Sequence, residues 1–160
     1  MEVAAIITDS QLNIIAQAPN LVIQHPKHVL DKMGEWCKTT HAHTGLTEQC
    51  LVSNTTVEKA DEILYEFLKK HTVYKKSPLA GNTVHNDKKF MEKFMPRSYD
   101  FLHYRIIDVS SFHEIFLRWL PSIAASLPEK KGSHKALNDI KESINQLAYY
   151  KRAVFDKLKI

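Results

Sequence analysis

Two apolar runs open the chain, VAAIIT at residues 3–8 and LNIIA at 12–16, parted by the polar Asp9-Ser10-Gln11. That pattern predicts a β-hairpin. LVIQ at 21–24 offers a third strand, which Pro26 ends. VLDKMGEWC predicts a short helix, and the polar stretch KTTHAHTGLTEQC follows it. At Thr55 the period becomes helical. Val57, Ala60, Ile63, Leu64, Phe67 and Leu68 form one apolar stripe, and Thr55 with Glu58 reads as a capping box. The chain then alternates. SPLAGN predicts a short buried strand, KKFMEKFM a helix ended by Pro96, and YRIIDVS another strand. Ser111 and Glu114 form a second capping box at the head of FHEIFLRWL. Beyond the turn-like LPEKKGSH, a long final helix carries Ile140, Ile144, Leu147, the stem of Lys151, Val154, Phe155 and Leu158 on one face. Antiparallel strands first and strand–helix alternation later predict one α/β layered domain with a mixed sheet, spanning residues 1–160.

Composition changes this picture little. A chain of 160 residues with 44% hydrophobic and 25% charged positions suits a single globular domain. No apolar run reaches the roughly 18 residues of a membrane span, and the opening EVAAIITD lacks the basic start of a signal peptide. The net charge of +4 is compatible with a polyanionic ligand, but the paired lysines are scattered and read as solvated faces. Cys37 and Cys50 form no metal motif, so a reduced intracellular protein is the default expectation.

Three stretches can carry chemistry. In GNTVHNDKKF (81–90), Asp87 sits at a strand-to-helix turn. Such turns hold ligands in α/β sheets, but Asp87 also reads as a helix cap. In HYRIIDVSS (103–111), Tyr104 can stack on a base and Arg105 can grip a phosphate, or the pair can flank an ordinary strand. Asp108 lies inside the apolar run and calls for a local partner. In SHKALNDIKESI (133–144), His134 and Asp139 would point about 140° apart on one ideal helix. A break at Gly132-Ser133 removes that obstacle and lets both face one site, Asp139 as a hard oxygen ligand and His134 as a base, but taken alone the stretch reads more readily as a surface His and a helix-face Asp. Trp36, Cys37, His41 and His43 are too poorly spaced for a zinc site, and Trp36 alone reads more readily as core than as a platform.

Taken together, EVAAIITDSQLNIIAQAPNLVI, GNTVHNDKKFMEKFMP, HYRIIDVSS and SHKALNDIKES resemble the blocks of the oligoribonucleases, in order and over essentially the whole chain. These are DEDDh-type 3′-to-5′ exonucleases, and the residue choices look most like the eukaryotic branch, the small fragment nucleases. The last block supplies HxAxxD as His134, Ala136 and Asp139. The resemblance implies an RNase H-like fold, a homodimer, and a pair of Mg²⁺ or Mn²⁺ ions. It implies degradation of very short single-stranded RNA, dinucleotides included, to nucleoside 5′-monophosphates. Asp87 and Asp139 match metal carboxylates, and His134 matches the general base. Trp36, His41 and Thr83 match residues that hold the RNA's bases and phosphate. Tyr104, Arg105 and Ser110 match residues that reach into the neighbouring protomer's site, Tyr104 counting as catalytic as well as base-packing. An intracellular place in the mitochondrion, the cytoplasm or both follows, with no membrane partner.

One block of the family pattern is not found within these residues. A strand bearing Asp-x-Glu should precede EVAAIITD, and neither Glu2 nor Asp9 replaces it. Two of the family's four metal carboxylates are therefore expected to be absent, together with a central strand. On that expectation residues 1–160 act as an N-terminally shortened domain that folds poorly alone and has little activity. The alternative function is a non-catalytic module that binds RNA ends or dimerises.

Overall fold

The computed structural model describes residues 1–128 and 135–158. The opening runs pair as the sequence predicts. β1 (Glu2–Val3) and β2 (Ile6–Thr8) lie antiparallel to β4 (Leu21–Val22) and β3 (Ile14–Gln17) respectively. Val3 opposes Leu21 and Ile6 opposes Gln17, so three steps on one strand face four on the other. The extra residue falls at Ala18-Pro19-Asn20, where Pro19 has no N–H to give the ladder. Asp9 closes the hairpin. Its Oδ1 accepts the N–H groups of Gln11 and Asn13 at 2.8 and 2.9 Å, around a Leu12 with φ of 68°.

The stretch 27–52 departs from expectation. The short helix foreseen over VLDKMGEWC is split into α1 (Lys27–Leu30) and the start of α2 (Glu35–His43). The polar stretch after it is helical too, as the rest of α2 and as α3 (Leu46–Val52), which meet at Gly45 with φ of 76°. α2 buries no residue fully, so it leaves no apolar period to read. α3 shows its inward face only at Leu46 and Cys50, four apart, packed with Leu30.

The core forms around α4 (Val57–His71). Its stripe is the predicted one. Ala60, Leu64 and Leu68 pack with Leu21 and Ile23 and with Met91, Met95, Phe101 and Leu102. The cap sits one residue later than expected, because Thr56 Oγ1, not that of Thr55, accepts the Lys59 N–H at 3.2 Å. Next come β5 (Pro78–Gly81), α5 (His85–Phe94), α6 (Pro96–Phe101) and β6 (His103–Asp108), with β5 and β6 parallel. Buried Asp61 on α4 receives the N–H groups of Arg97 and Ser98 at 3.0 and 2.9 Å, so α4 caps α6.

α7 (Val109–Trp119) follows β6 without a loop. Its cap is Asp108, not Ser111 as the capping-box reading had it, since Asp108 Oδ1 accepts the Ser110 N–H at 3.1 Å. α8 (Pro121–Ala125), α9 (Ala136–Ala153) and a single 3-10 turn (Phe155–Lys157) complete the described chain. The face of α9 also differs from the predicted stripe. Ser143, Gln146 and Tyr150 are the buried residues, while Ile140, Ile144 and Leu147 are half-buried. Mixed α/β character is present, and the described strands form three two-stranded ladders. No helix among the described residues is long and apolar enough to cross a membrane.

Candidate active site

The site is built on the turn between β5 and α5. Gly81 ends the strand where a Cβ would lie 3.3 Å from Val84 Cγ2, so glycine lets the turn close on buried Val84. Thr83 takes φ of 55°, a left-handed conformation that costs a non-glycine residue energy. Two bonds hold it there. Its N–H donates to Asp108 Oδ1 and to Ser110 Oγ, both at 2.9 Å. The sequence asked for a local partner for Asp108, and the structure supplies three: Thr83, Ser110 and, at 3.1 Å, His85 Nδ1. The turn thus delivers Asp87 into the first turn of α5.

The same turn is tied to α9. Asn82 Nδ2 donates to Ser143 Oγ at 2.8 Å and to Gln146 Oε1 at 3.2 Å, while Ser110 Oγ donates to Asn82 Oδ1 at 3.2 Å. Ser143 Oγ in turn donates to the Asp139 carbonyl at 2.9 Å. Asp139 lies in the first turn of α9, and the Ala136 N–H beside it donates to Glu2 Oε1 at 3.0 Å. A carboxylate from β1 therefore caps the helix that carries Asp139. The predicted base, His134, and the break at Gly132-Ser133 lie outside the described residues.

Electrostatics separate the two acids of the turn. Partial burial is the main reason the Asp87 carboxyl sits above the usual aspartate value, and the nearby Asp108 charge adds to it. Burial also opposes ionisation of Asp108. Bonds from His85, Ser110 and Thr83 outweigh that effect and hold its carboxyl below the usual value. Asp108 is thereby a stable anion that organises the turn, and Asp87 is a carboxylate in a negative field.

The other predicted residues fall in separate places. Tyr104 and Arg105 stand exposed on β6, with the guanidinium 5.0 Å from the Tyr104 ring centre. Lys88, one residue after Asp87, donates to the Tyr104 carbonyl at 2.6 Å and links the two blocks. Trp36 is 64% exposed, which corrects the core reading. His41 and Asp139 line one cavity of about 420 Å³, with Glu2, His25 and Cys50. Among the described residues, His41 Nδ1 and Thr47 Oγ1 at that cavity are buried without a hydrogen-bond partner. Both cysteines are free thiols.

Sequence reasoning missed Glu2, Ser143 and Gln146. Polar residues at 143 and 146 could have been noticed as a second helical face, three apart beside the apolar one. Nothing in the sequence signals that Glu2 caps a helix starting at residue 136.

Among the described residues, no group of three or more His, Cys, Asp or Glu is arranged to hold a metal ion. For a hard divalent ion the donors fit in part. Asp87 and Asp139 carry the hard oxygen donors that such an ion would take, and the partly buried Asp87 carboxyl holds its proton more firmly than an ordinary aspartate.

The profile of the exonuclease family matches residues 1–147. Over 157 residues, 98% of the chain, it is 46% identical to the mitochondrial oligoribonuclease of Homo sapiens. It is 47% identical over 155 residues to a probable oligoribonuclease of Dictyostelium discoideum, covering 97% of the chain and 80% of the relative. It is 43% identical over 151 residues to an oligoribonuclease of Chromobacterium violaceum, covering 94% and 83%. The matched region spans 66% of the length of the human relative.

Proposed function

The chain belongs to the exonuclease family, on its oligoribonuclease branch, and on that footing we propose that it serves the 3′-to-5′ hydrolysis of very short single-stranded RNA to nucleoside 5′-monophosphates. The observation that carries this reading is the tie between the two aspartate-bearing helix starts. Asn82 of the Asp87 turn bonds Ser143, and Ser143 bonds the Asp139 carbonyl. Two acids far apart in sequence are thereby held in one framework.

In this reading Asp87 and Asp139 hold divalent ions, Mg²⁺ or Mn²⁺, together with carboxylates that residues 1–160 do not contain. A bound ion supplies charge neutralisation at the phosphodiester and eases deprotonation of water. His134 accepts the proton of the attacking water. Exposed Trp36 offers its indole face to a base, and Thr83 and His41 hold base and phosphate. His41 Nδ1, buried with no hydrogen-bond partner among the described residues, supports that role, because a ligand atom would complete its hydrogen bonding. Two carboxylates offset the charge of two ions poorly, so residues 1–160 alone turn RNA over slowly.

Tyr104 and Arg105 act across a homodimer. Tyr104 packs on a base in the neighbouring protomer, and Arg105 caps the terminal phosphate. Their exposure and mutual stacking support this. Ser110 has its hydroxyl engaged by Thr83 and Asn82 of its own chain, so the cap rests chiefly on the other two. Such a cap closes the exit that a longer RNA needs, which explains a preference for dinucleotides. The protein would work in the mitochondrion, the cytoplasm or both.

The test is turnover of a dinucleotide with Mn²⁺, by residues 1–160 and by a version extended with an Asp-x-Glu strand. The extended version should release 5′-monophosphates, and Asp139→Asn should abolish the release. RNA binding without hydrolysis in the extended version would overturn the enzyme reading in favour of a binding module.

A further inference from the structure

The buried face of α9 poses a problem. An apolar stripe is available on this helix, at Ile140, Ile144 and Leu147, yet Ser143, Gln146 and Tyr150 are the residues turned fully inward. Burying polar groups is costly unless each is hydrogen-bonded. Here each is. Asn82 donates to Ser143 and Gln146, and Ser143 donates onward to the Asp139 carbonyl. Gln146 Nε2 donates to the Tyr150 hydroxyl at 3.4 Å, which leaves the hydroxyl hydrogen for His113 Nδ1 at 2.7 Å. The donor and acceptor directions are mutually consistent from Ser110 through Asn82 to His113. Tyr150 is 0% exposed and also packs edge-on against Phe116, so the far end of the chain is anchored in the α7–α9 core.

Apolar side chains would let α9 slide or rotate against α7 with little change in energy. A satisfied polar seam does not, because any shift leaves several buried groups unpaired at once. We propose that Gln146 and Tyr150, acting with Ser143 through Asn82, are positioning residues that fix the register of α9 and so set Asp139 relative to Asp87. None of them touches the reacting atoms. The inference deepens the proposed function and rests on its assignment of the two aspartates.

The variants are Gln146→Met, Tyr150→Phe and Ser143→Ala, each close in volume to the parent side chain. Gln146→Glu serves as the conservative partner, since it keeps the Oε1 acceptor toward Asn82. Two readouts are used on the full chain: amide hydrogen exchange, and paramagnetic broadening by Mn²⁺ of the Asp87 and Asp139 amides. In Gln146→Met, exchange should rise about tenfold, the worth of one such bond, in both 82–87 and 136–143 while α4 stays protected. Broadening should persist at Asp87 and weaken at Asp139. Gln146→Glu, which keeps the Asn82 bond but gives up the Nε2 donation to Tyr150, should recover part of the protection that Gln146→Met loses in 82–87 and 136–143. A uniform rise across α4, α7 and α9 would mean a merely structural role and overturn the proposal. So would unchanged exchange at 136–143 in both Gln146→Met and Ser143→Ala. If Mn²⁺ broadens neither aspartate in the parent chain, the metal assignment fails, and the exchange readout still decides whether the seam couples the two segments.

Discussion

Replacing Asp108 with alanine should destabilise the fold measurably, because one carboxylate serves three partners at the site. The side chain is 12% exposed. Its loss removes the cap of α7, which is worth about 1 kcal/mol. It also removes the charged acceptor of the Thr83 N–H, worth about 1.5–3 kcal/mol, with the lower end apt for an exposed turn. The pair with His85 adds at most about 1 kcal/mol, since that ring is 50% exposed. Against this, Thr83 is freed from its left-handed conformation, which returns about 1 kcal/mol. The net loss is about 2–3 kcal/mol in a domain stable by about 5–15 kcal/mol. At this chain length each kcal/mol moves the melting midpoint by about 2–4 °C, so Tm should fall by about 5–10 °C. Circular dichroism melts of parent, Asp108→Ala and Asp108→Asn measure it. Asn keeps one acceptor oxygen and should fall about half as far. A Tm for Asp108→Ala within about 2 °C of the parent would refute the assignment of Asp108 as the organiser of the turn.

The raised pKa of Asp87 predicts the opposite sign of effect there. Its contribution to stability is present below the ordinary aspartate value and is lost as pH rises through the folded value, so the ionised carboxyl is a cost at pH 7. Asp87→Asn should therefore raise Tm at pH 7, show no gain at pH 3, and end dinucleotide turnover; a lower Tm at pH 7 would contradict the burial argument. Asp108, with its depressed value, contributes stability above the ordinary aspartate value and loses it as pH falls through the folded one, so the Asp108→Ala deficit should shrink on acidification. His134→Ala should slow turnover strongly while calorimetry finds Mn²⁺ affinity nearly unchanged, and parent-like turnover would remove His134 from the role of base. Arg105→Ala should impair dinucleotides more than longer RNAs. Mixed with Asp139→Asn subunits it should regain some activity, whereas equal losses at all lengths would point to general backbone attraction.

Much of this protein was legible along the chain because its signals are local. The hairpin at 3–17 needs only two apolar runs and an Asp that bonds its own turn. The α4 stripe needs only the helical period, and its six predicted residues all meet the core. GNTVHNDKKF, HYRIIDVSS and SHKALNDIKES raised Asp87, Tyr104, Arg105 and Asp139 as candidates beside plainer structural readings, and the family resemblance of these blocks singled them out.

What the chain alone did not decide depends on partners distant in sequence. A cap is chosen by whichever acceptor reaches the helix end. Asp108 displaced Ser111 because β6 runs straight into α7, and Glu2 reached residue 136 because β1 lies against the head of α9. At Ser143 and Gln146 the inward face of α9 follows Asn82, 61 residues before Ser143, rather than hydrophobicity. Periodicity reports which side chains avoid water, and it is blind to polar groups buried because a partner from another element satisfies them. Only the folded chain, by bringing Asn82, Ser143, Gln146 and Tyr150 into one seam, decides how the two aspartates are held.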